Sequence, residues 1–163
     1  MATRHLIDKG CQHILCIRGN SKLKMPGNNR SQAYIQEMEK AGLPQMILEV
    51  PFIMENVEKQ KLIYDMLNAH PEIDGIFASS DVIAAQVIQI CGKKGIRIPE
   101  QVKVVGFDDS MVCTLTSPEI TTVHQPIPEM ASLAVESIVR VANKEEVHPR
   151  TVLPVSLIRR ETT

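Results

Sequence analysis

The sequence predicts an α/β fold, a doubly wound and mostly parallel sheet flanked by helices, and three observations predict it. Short β-rich runs alternate with amphipathic helical stretches along the chain. Strands separated in this way cannot be hairpins, so they pair in parallel through right-handed crossovers. The runs at 14–17, 73–78 and 102–105 are apolar nearly throughout, as strands covered by helices on both faces should be. Finally, Pro154 interrupts the last run, which suits a strand at a sheet edge.

Each element has its own signal. Residues 2–9 carry Leu6 and Ile7 on one side and stop at Gly10, a residue suited to ending a helix in left-handed backbone. Residues 13–17 form an apolar strand run, closed by a turn at Gly19 and Asn20. Beyond a turn at Gly27, residues 30–40 place Tyr34, Ile35 and Met38 at helical spacing, before Gly42 and Pro44 break the pattern. Residues 46–50 predict a short strand. Residues 56–68 predict a helix through Val57, Leu62, Ile63, Met66 and Leu67. A strand over 73–78, a helix over 81–93 and a strand over 102–105 follow. Residues 121–123 predict another short strand, 126–143 a helix and 151–158 the final strand. Pro118, Pro126 and Pro128 cluster around the 121–123 strand, marking a connection that leaves one structural unit for another.

Composition narrows the function. With 163 residues, 44% hydrophobic, 23% charged and a mean hydropathy of -0.04, the chain has the balance of an ordinary globular domain. Its most apolar stretch, 82–91, is interrupted by Gln86 and Gln89 and falls short of the ~20 residues that a membrane-spanning helix needs. The first residues hold no apolar leader core. Net charge is -1 with Lys and Arg scattered, so these residues offer no phosphate-gripping surface. Cys11, Cys16, Cys91 and Cys113 sit in or beside apolar runs and suit reduced core thiols in the cytoplasm better than a disulfide frame.

In open parallel sheets, ligands bind beyond the carboxyl ends of the strands, where loops and helix N-termini converge. That edge collects Asn28, Asn29 and Arg30, then Phe52, then Ser79, Ser80 and Asp81, then Asp108, Asp109 and Ser110. Hydroxyls, amides, carboxylates, a guanidinium and a ring are the inventory of a polyol site. Plainer roles compete. Ser80 and Asp81 can cap the helix that follows, Asp108 and Asp109 can form a turn, and Arg30 can be solvated. Cys11, His13 and Cys16 offer zinc-type atoms, but the helix end at Gly10 scatters them; no metal or cofactor is expected. Cys113 and His124 would make a nucleophile pair only if the fold joined them, with no third group in evidence. No glycine-rich phosphate loop occurs, and no enzyme chemistry is expected.

The motifs in combination resemble a known family. His5-Leu-Ile-Asp-Lys-Gly10 before an apolar strand, Arg30-Ser-Gln-Ala-Tyr34 and Ile76-Phe-Ala-Ser-Ser-Asp81 look like the effector-binding core of the lactose-repressor (LacI/GalR) family of bacterial transcription regulators. Gly95-Ile-Arg-Ile-Pro99, Val104-Val-Gly-Phe-Asp-Asp109, Pro118-Glu-Ile-Thr-Thr-Val123 and Gln125 follow in that family's order and spacing. The closing segment from Leu153 to Thr163 is similar to the end of the lactose repressor.

The resemblance implies a type I periplasmic-binding-protein-like fold of two subdomains joined by three crossovers, with effector in the cleft. Residues 1–125 would form the C-terminal subdomain, 126–149 the last helix of the N-terminal subdomain, and 150–163 the returning strand and tail. DNA would be read only by a helix-turn-helix headpiece outside these residues. Carried over residue by residue, Arg30, Phe52, Ser80, Asp81, Asp108 and Gln125 become the implied effector contacts, the effector most simply a sugar. Ser80 stands where the lactose repressor has Asn. The family pairs its cores through this subdomain, in accord with the helix over 81–93, whose apolar residues wrap more than one face. A homodimer through Val82, Ile83, Val87 and Ile90 is the expectation. An exported sugar-transport binding protein of the same fold is the alternative.

Overall fold

The computed structural model describes residues 1–20, 26–51 and 53–163. Its helices are α1 (Ala2–Asp8), α2 (Pro26–Ala41), α3 (Asn56–Ala69), α4 (Asp81–Lys94) and α5 (Ile127–Ala142). Its strands are β1 (Ile14–Asn20), β2 (Met46–Pro51), β3 (Gly75–Ala78), β4 (Lys103–Asp108), β5 (Thr121–His124) and β6 (Ser156–Ile158). They form one sheet in the order β2-β1-β3-β4-β5-β6. Every neighbouring pair is parallel except β5 and β6. The α/β, mostly parallel expectation holds.

Alternation along the strands places helices on both faces. Ile14 and Cys16 of β1, Phe77 of β3 and Val105 of β4 pack with Leu6 of α1 and with Tyr34 and Met38 of α2. Leu15, Ile17, Ile76, Ala78 and Val104 belong to the opposite layer, with Ile63 and Leu67 of α3 and Ala84, Val87 and Cys91 of α4. Each fully buried Ile or Leu contributes about 1.5–3 kcal/mol relative to an exposed one, so the two apolar layers carry most of the stability. Tyr34 is wholly buried; its hydroxyl donates to the Ile14 carbonyl at 2.7 Å and accepts the Met46 N–H at 2.8 Å, joining the first residue of β1 to the first residue of β2.

Several boundaries differ from expectation. β1 continues to Asn20, and β3 begins at Gly75 instead of 73. The final strand contracts to three residues. In the antiparallel pairing Ser156 lies opposite His124, so residues before Ser156 would have to pair beyond β5, where the chain already leaves for α5. Pro154 also has no N–H to offer a ladder. A single turn of 3-10 helix at Met111–Thr114 follows β4, which periodicity did not foresee.

Two further features frame the site. The tail beyond β6 docks on the sheet: Thr162 is wholly buried, its carbonyl accepts the Val104 N–H at 2.9 Å, and its hydroxyl donates to the Val104 carbonyl at 2.7 Å. By contrast, α5 buries none of its residues, and Ile127, Val135, Ile138, Val139 and Val141 are each more than half exposed. Between α5 and the segment carrying His148 to Val155 lies a cavity of about 520 Å³, reached by Gln125, Met130 and Leu133.

Candidate functional site

The chain runs from β1 outward to β2, then crosses to β3 on the other side of β1. The strand order therefore reverses between β1 and β3, and such a switch point opens a crevice at the carboxyl edge. Arg30, near the start of α2, and Ser79 to Asp81, at the start of α4, stand at the two sides of this reversal. Asp108 ends the next strand and Gln125 follows β5.

Arg30 is the centre of the arrangement. Its Nη1 donates to the Ser79 carbonyl at 2.8 Å, its guanidinium lies 3.7 Å over the Phe107 ring, and its Nη2 is 3.6 Å from Asp108 Oδ1. A cation near a helix N-terminus opposes the dipole, and the carbonyl, the ring face and the carboxylate compensate. Burial lowers the Arg30 pKa from its ordinary value, with Asp108 and Asp81 acting in the other direction. Gln125 Nε2 donates to Asp108 Oδ1 at 2.7 Å. Burial holds Asp108 above the usual carboxylate range, against the pull of Arg30 and the Gln125 bond, while Asp81 adds to the rise.

The backbone here is unusual. Asp108 has φ 118 and Asp109 φ 57, and sparsely populated backbone of this kind costs about 1–3 kcal/mol and persists only where the surroundings hold it. The neighbouring contacts do hold it. Asp81 Oδ2 accepts the Ser110 N–H at 2.7 Å and Asp81 Oδ1 accepts the Thr122 hydroxyl at 2.6 Å. Gly106 makes room for this carboxylate: a Cβ there would stand 2.4 Å from Asp81 Oδ1. On the other side, Asp109 takes Arg160 Nη2 at 2.7 Å and His124 Nδ1 at 2.9 Å.

The expected contacts thus separate. Arg30, Asp108 and Gln125 come together at one edge, with the Ser79 carbonyl. Ser80 caps α4, its hydroxyl accepting the Ile83 N–H at 3.4 Å. Asp81, 1% exposed, offers no surface to a ligand; its oxygens serve the loop after β4 and the side of β5, so its bearing on the edge is indirect. Phe52 lies outside the described residues. Phe107, not singled out from sequence, supplies the ring beneath Arg30. Its signal was parity, since it shares the α1 and α2 face of β4 with Val105. Asp109, His124 and Arg160 were also missed as a group.

The four residues expected at a self-association surface divide as well. Val82 is 54% exposed and Ile83 partly so, whereas Val87 at 0% and Ile90 at 2% are enclosed in this chain's own core. Val87 and Ile90 are used to cover the sheet and α3, so of the four expected residues only Val82 and Ile83 are open to a partner. His124 pairs with Asp109 and not with Cys113. Burial pushes the Cys113 thiol up to about 12, Cys16 to about 12 and Cys11 and Cys91 to about 11, leaving negligible thiolate at neutral pH. Among the described residues, no group of three or more His, Cys, Asp or Glu could hold a metal ion, and no helix is long and apolar enough to cross a membrane.

Comparison with known proteins bears on the family and the fold. A family model described as a periplasmic binding protein-like domain matches residues 3–163. The ribose operon repressor of Halalkalibacterium halodurans is 35% identical over 164 residues, covering 100% of this chain and 49% of that protein. A periplasmic binding protein/LacI transcriptional regulator from Alkaliphilus metalliredigens QYMF, solved with D-xylulofuranose, superposes with a TM-score of 0.88 at 32% identity, covering 100% of this chain and 61% of that one. A LacI family regulator from Arthrobacter sp. FB24 in complex with lactose gives 0.86 at 28%, covering 99% and 62%. The chain spans about half the length of the curated relatives it matches.

Proposed function

Because this chain belongs to the periplasmic-binding-protein-like family, among the LacI-type regulators, we propose that it is the effector-sensing part of a transcriptional repressor. The effector is a small polyol, most simply a sugar. One observation carries this reading: at 3.6 Å, Arg30 and Asp108 are opposed but too far apart for a direct hydrogen bond. A ligand hydroxyl seated beside the pair, not between them, can accept from the guanidinium and donate to the carboxylate, while Gln125 orients the latter. Relatives bearing ribose and sucrose operon names, and neighbours solved with lactose and cellobiose, support the same class.

Around this core we place the remaining assignments. Residues 1–125 act as the C-terminal subdomain, 126–149 as the last helix of the N-terminal subdomain and 150–163 as the returning strand and tail. DNA binding belongs to a headpiece outside these residues, the site of action is the cytoplasm, and the sensor performs no chemistry on its effector. Two copies pair through the outer side of α4 around Val82. Calorimetric titration of D-ribose, sucrose, cellobiose and lactose into the protein carrying the complete effector core tests the reading. Saturable heat with at least one sugar is expected. Silence toward all of them, and toward other polyols, would overturn it.

A further inference from the structure

Asp108 and Asp109 share one peptide bond yet serve different partners. Asp108 meets Arg30 and Gln125, whereas Asp109 meets His124 and Arg160. Arg160 comes from the tail after β6 and is itself firmly anchored. Its backbone N–H donates to the Thr121 hydroxyl at 2.9 Å, its Nη1 to the Ile120 carbonyl at 2.9 Å, and its Nε lies 3.8 Å from Glu119 Oε2. The side chains of Arg160 and Asp109 are 16% and 17% exposed. An anchored guanidinium thus grips the residue next to the strained one. At φ 118, Asp108 lies outside the left-handed helical well near +57°, which suits Asp109 at φ 57. Contacts on its neighbours must supply what its own backbone preference does not.

We propose that Arg160 is a positioning residue for the effector site, holding Asp109 so that the Asp108 carboxylate stays opposite Arg30 and Gln125. This deepens the effector reading and rests on it. Asp81 pins the loop from the Ser110 side, so Arg160 and Asp81 form two clamps with Asp108 at the near end of the span. The tail thereby influences affinity without touching the ligand. Although burial works to raise Asp109, the bonds from Arg160 and His124 together outweigh it and hold the carboxyl below its ordinary range, in keeping with a strongly engaged pair.

The test is Arg160→Met, which keeps the apolar stem and removes the guanidinium. In this chain, amide exchange at Ser110 should accelerate at least tenfold, while Val104, bonded to Thr162, keeps its rate. Unchanged exchange at Ser110 would overturn the proposal, and so would equal acceleration at Val104, which would make Arg160 a mere tail anchor. Should Arg160→Met not fold, Asp109→Asn tests the same link from the other side with the same expected exchange pattern. In the protein with the complete core, D-ribose is the probe. Arg160→Met should weaken it about tenfold, and less than twofold in an Asp108→Ala background, because the effect passes through Asp108. Equal losses in both backgrounds would refute that route. A wild type silent to D-ribose and to the other sugars defeats the effector reading alone, and the exchange measurement then decides the positioning.

Discussion

The Gln125 amide donates to Asp108 Oδ1 at 2.7 Å, so the first residue after β5 is tied to the last residue of β4. The bond spans the point where the chain turns away from the sheet toward α5. Anything that displaces the Asp108 carboxylate therefore also pulls on the segment leading out of this layer of the structure.

Binding should depend on both charged groups at the edge. A hydrogen bond to a charged group contributes about 1.5–3 kcal/mol, so Arg30→Ala and Asp108→Ala should each weaken a bound sugar about ten- to a hundredfold. Calorimetry on folded variants checks this, and unchanged affinity in both would reduce the two residues to helix-start and turn roles.

The neighbouring carboxylates should respond oppositely to pH. Asp109 is held low in the folded state, so its contribution is present above the unfolded carboxylate value of about 3.9 and is lost as pH falls through the lower folded value. Asp108 is held high, so its ionisation costs stability, and that cost grows as pH rises from about 3.9 through the higher folded value. Urea unfolding should show Asp109→Asn lowering the midpoint at pH 7 and Asp108→Asn raising it. For Asp108→Asn the gain should vanish below pH 3.9, where the unfolded-state carboxyl is protonated as well.

Gly106→Ala should be disruptive despite its small size. The added methyl would meet Asp81 Oδ1 at 2.4 Å and the Ile120 side chain at 3.1 Å. Moving the carboxylate strips the Ser110 N–H and the Thr122 hydroxyl of their acceptor, and the Thr122 hydroxyl, wholly buried, costs about 1–3 kcal/mol when left unpaired. A loss of that size in thermal or urea unfolding is expected. A variant as stable as wild type would show that Asp81 has another place to go.

Pairing of two copies should be sensitive to Val82 and indifferent to substitutions that merely trim the opposite end of α4. Val82→Asp places a charge on an exposed apolar position without entering the core and should shift sedimentation toward monomer. Wild-type chain that stays monomeric at high concentration would remove the basis for this interface.

Much of the architecture was legible because it rests on local periodicity. The apolar runs in β1, β3 and β4 and the helical spacing in α2 and α3 are short-range signals, and the carboxyl-edge rule then brings Arg30 and Asp108 to one side. What escaped depends on contacts far apart in sequence. Asp109 finds His124 and Arg160, and Thr162 finds Val104, across separations that no spacing pattern encodes. Asp81 was ambiguous for another reason: a helix-first acidic residue reads the same whether it faces solvent or turns under the sheet. Val87 and Ile90 looked available because amphipathicity shows how much of a helix is apolar and does not show how much of it neighbours cover.

The docking of Thr162 on Val104 also orders events in time. Its two backbone-directed bonds join residues no farther apart in sequence than Leu15 and Ile76, which pair β1 with β3, but the tail docks against β4 and β5 and so needs both strands in place before its contacts can form. β1, β2 and β3 can associate while the tail is still free, whereas Arg160 reaches Asp109 only once that tail has returned. The effector edge should therefore be the last part of the molecule to mature. In pulse-labelled refolding, protection at Leu15 should precede protection at Val104 and Ser110, so that a newly folded chain becomes structured before it becomes responsive.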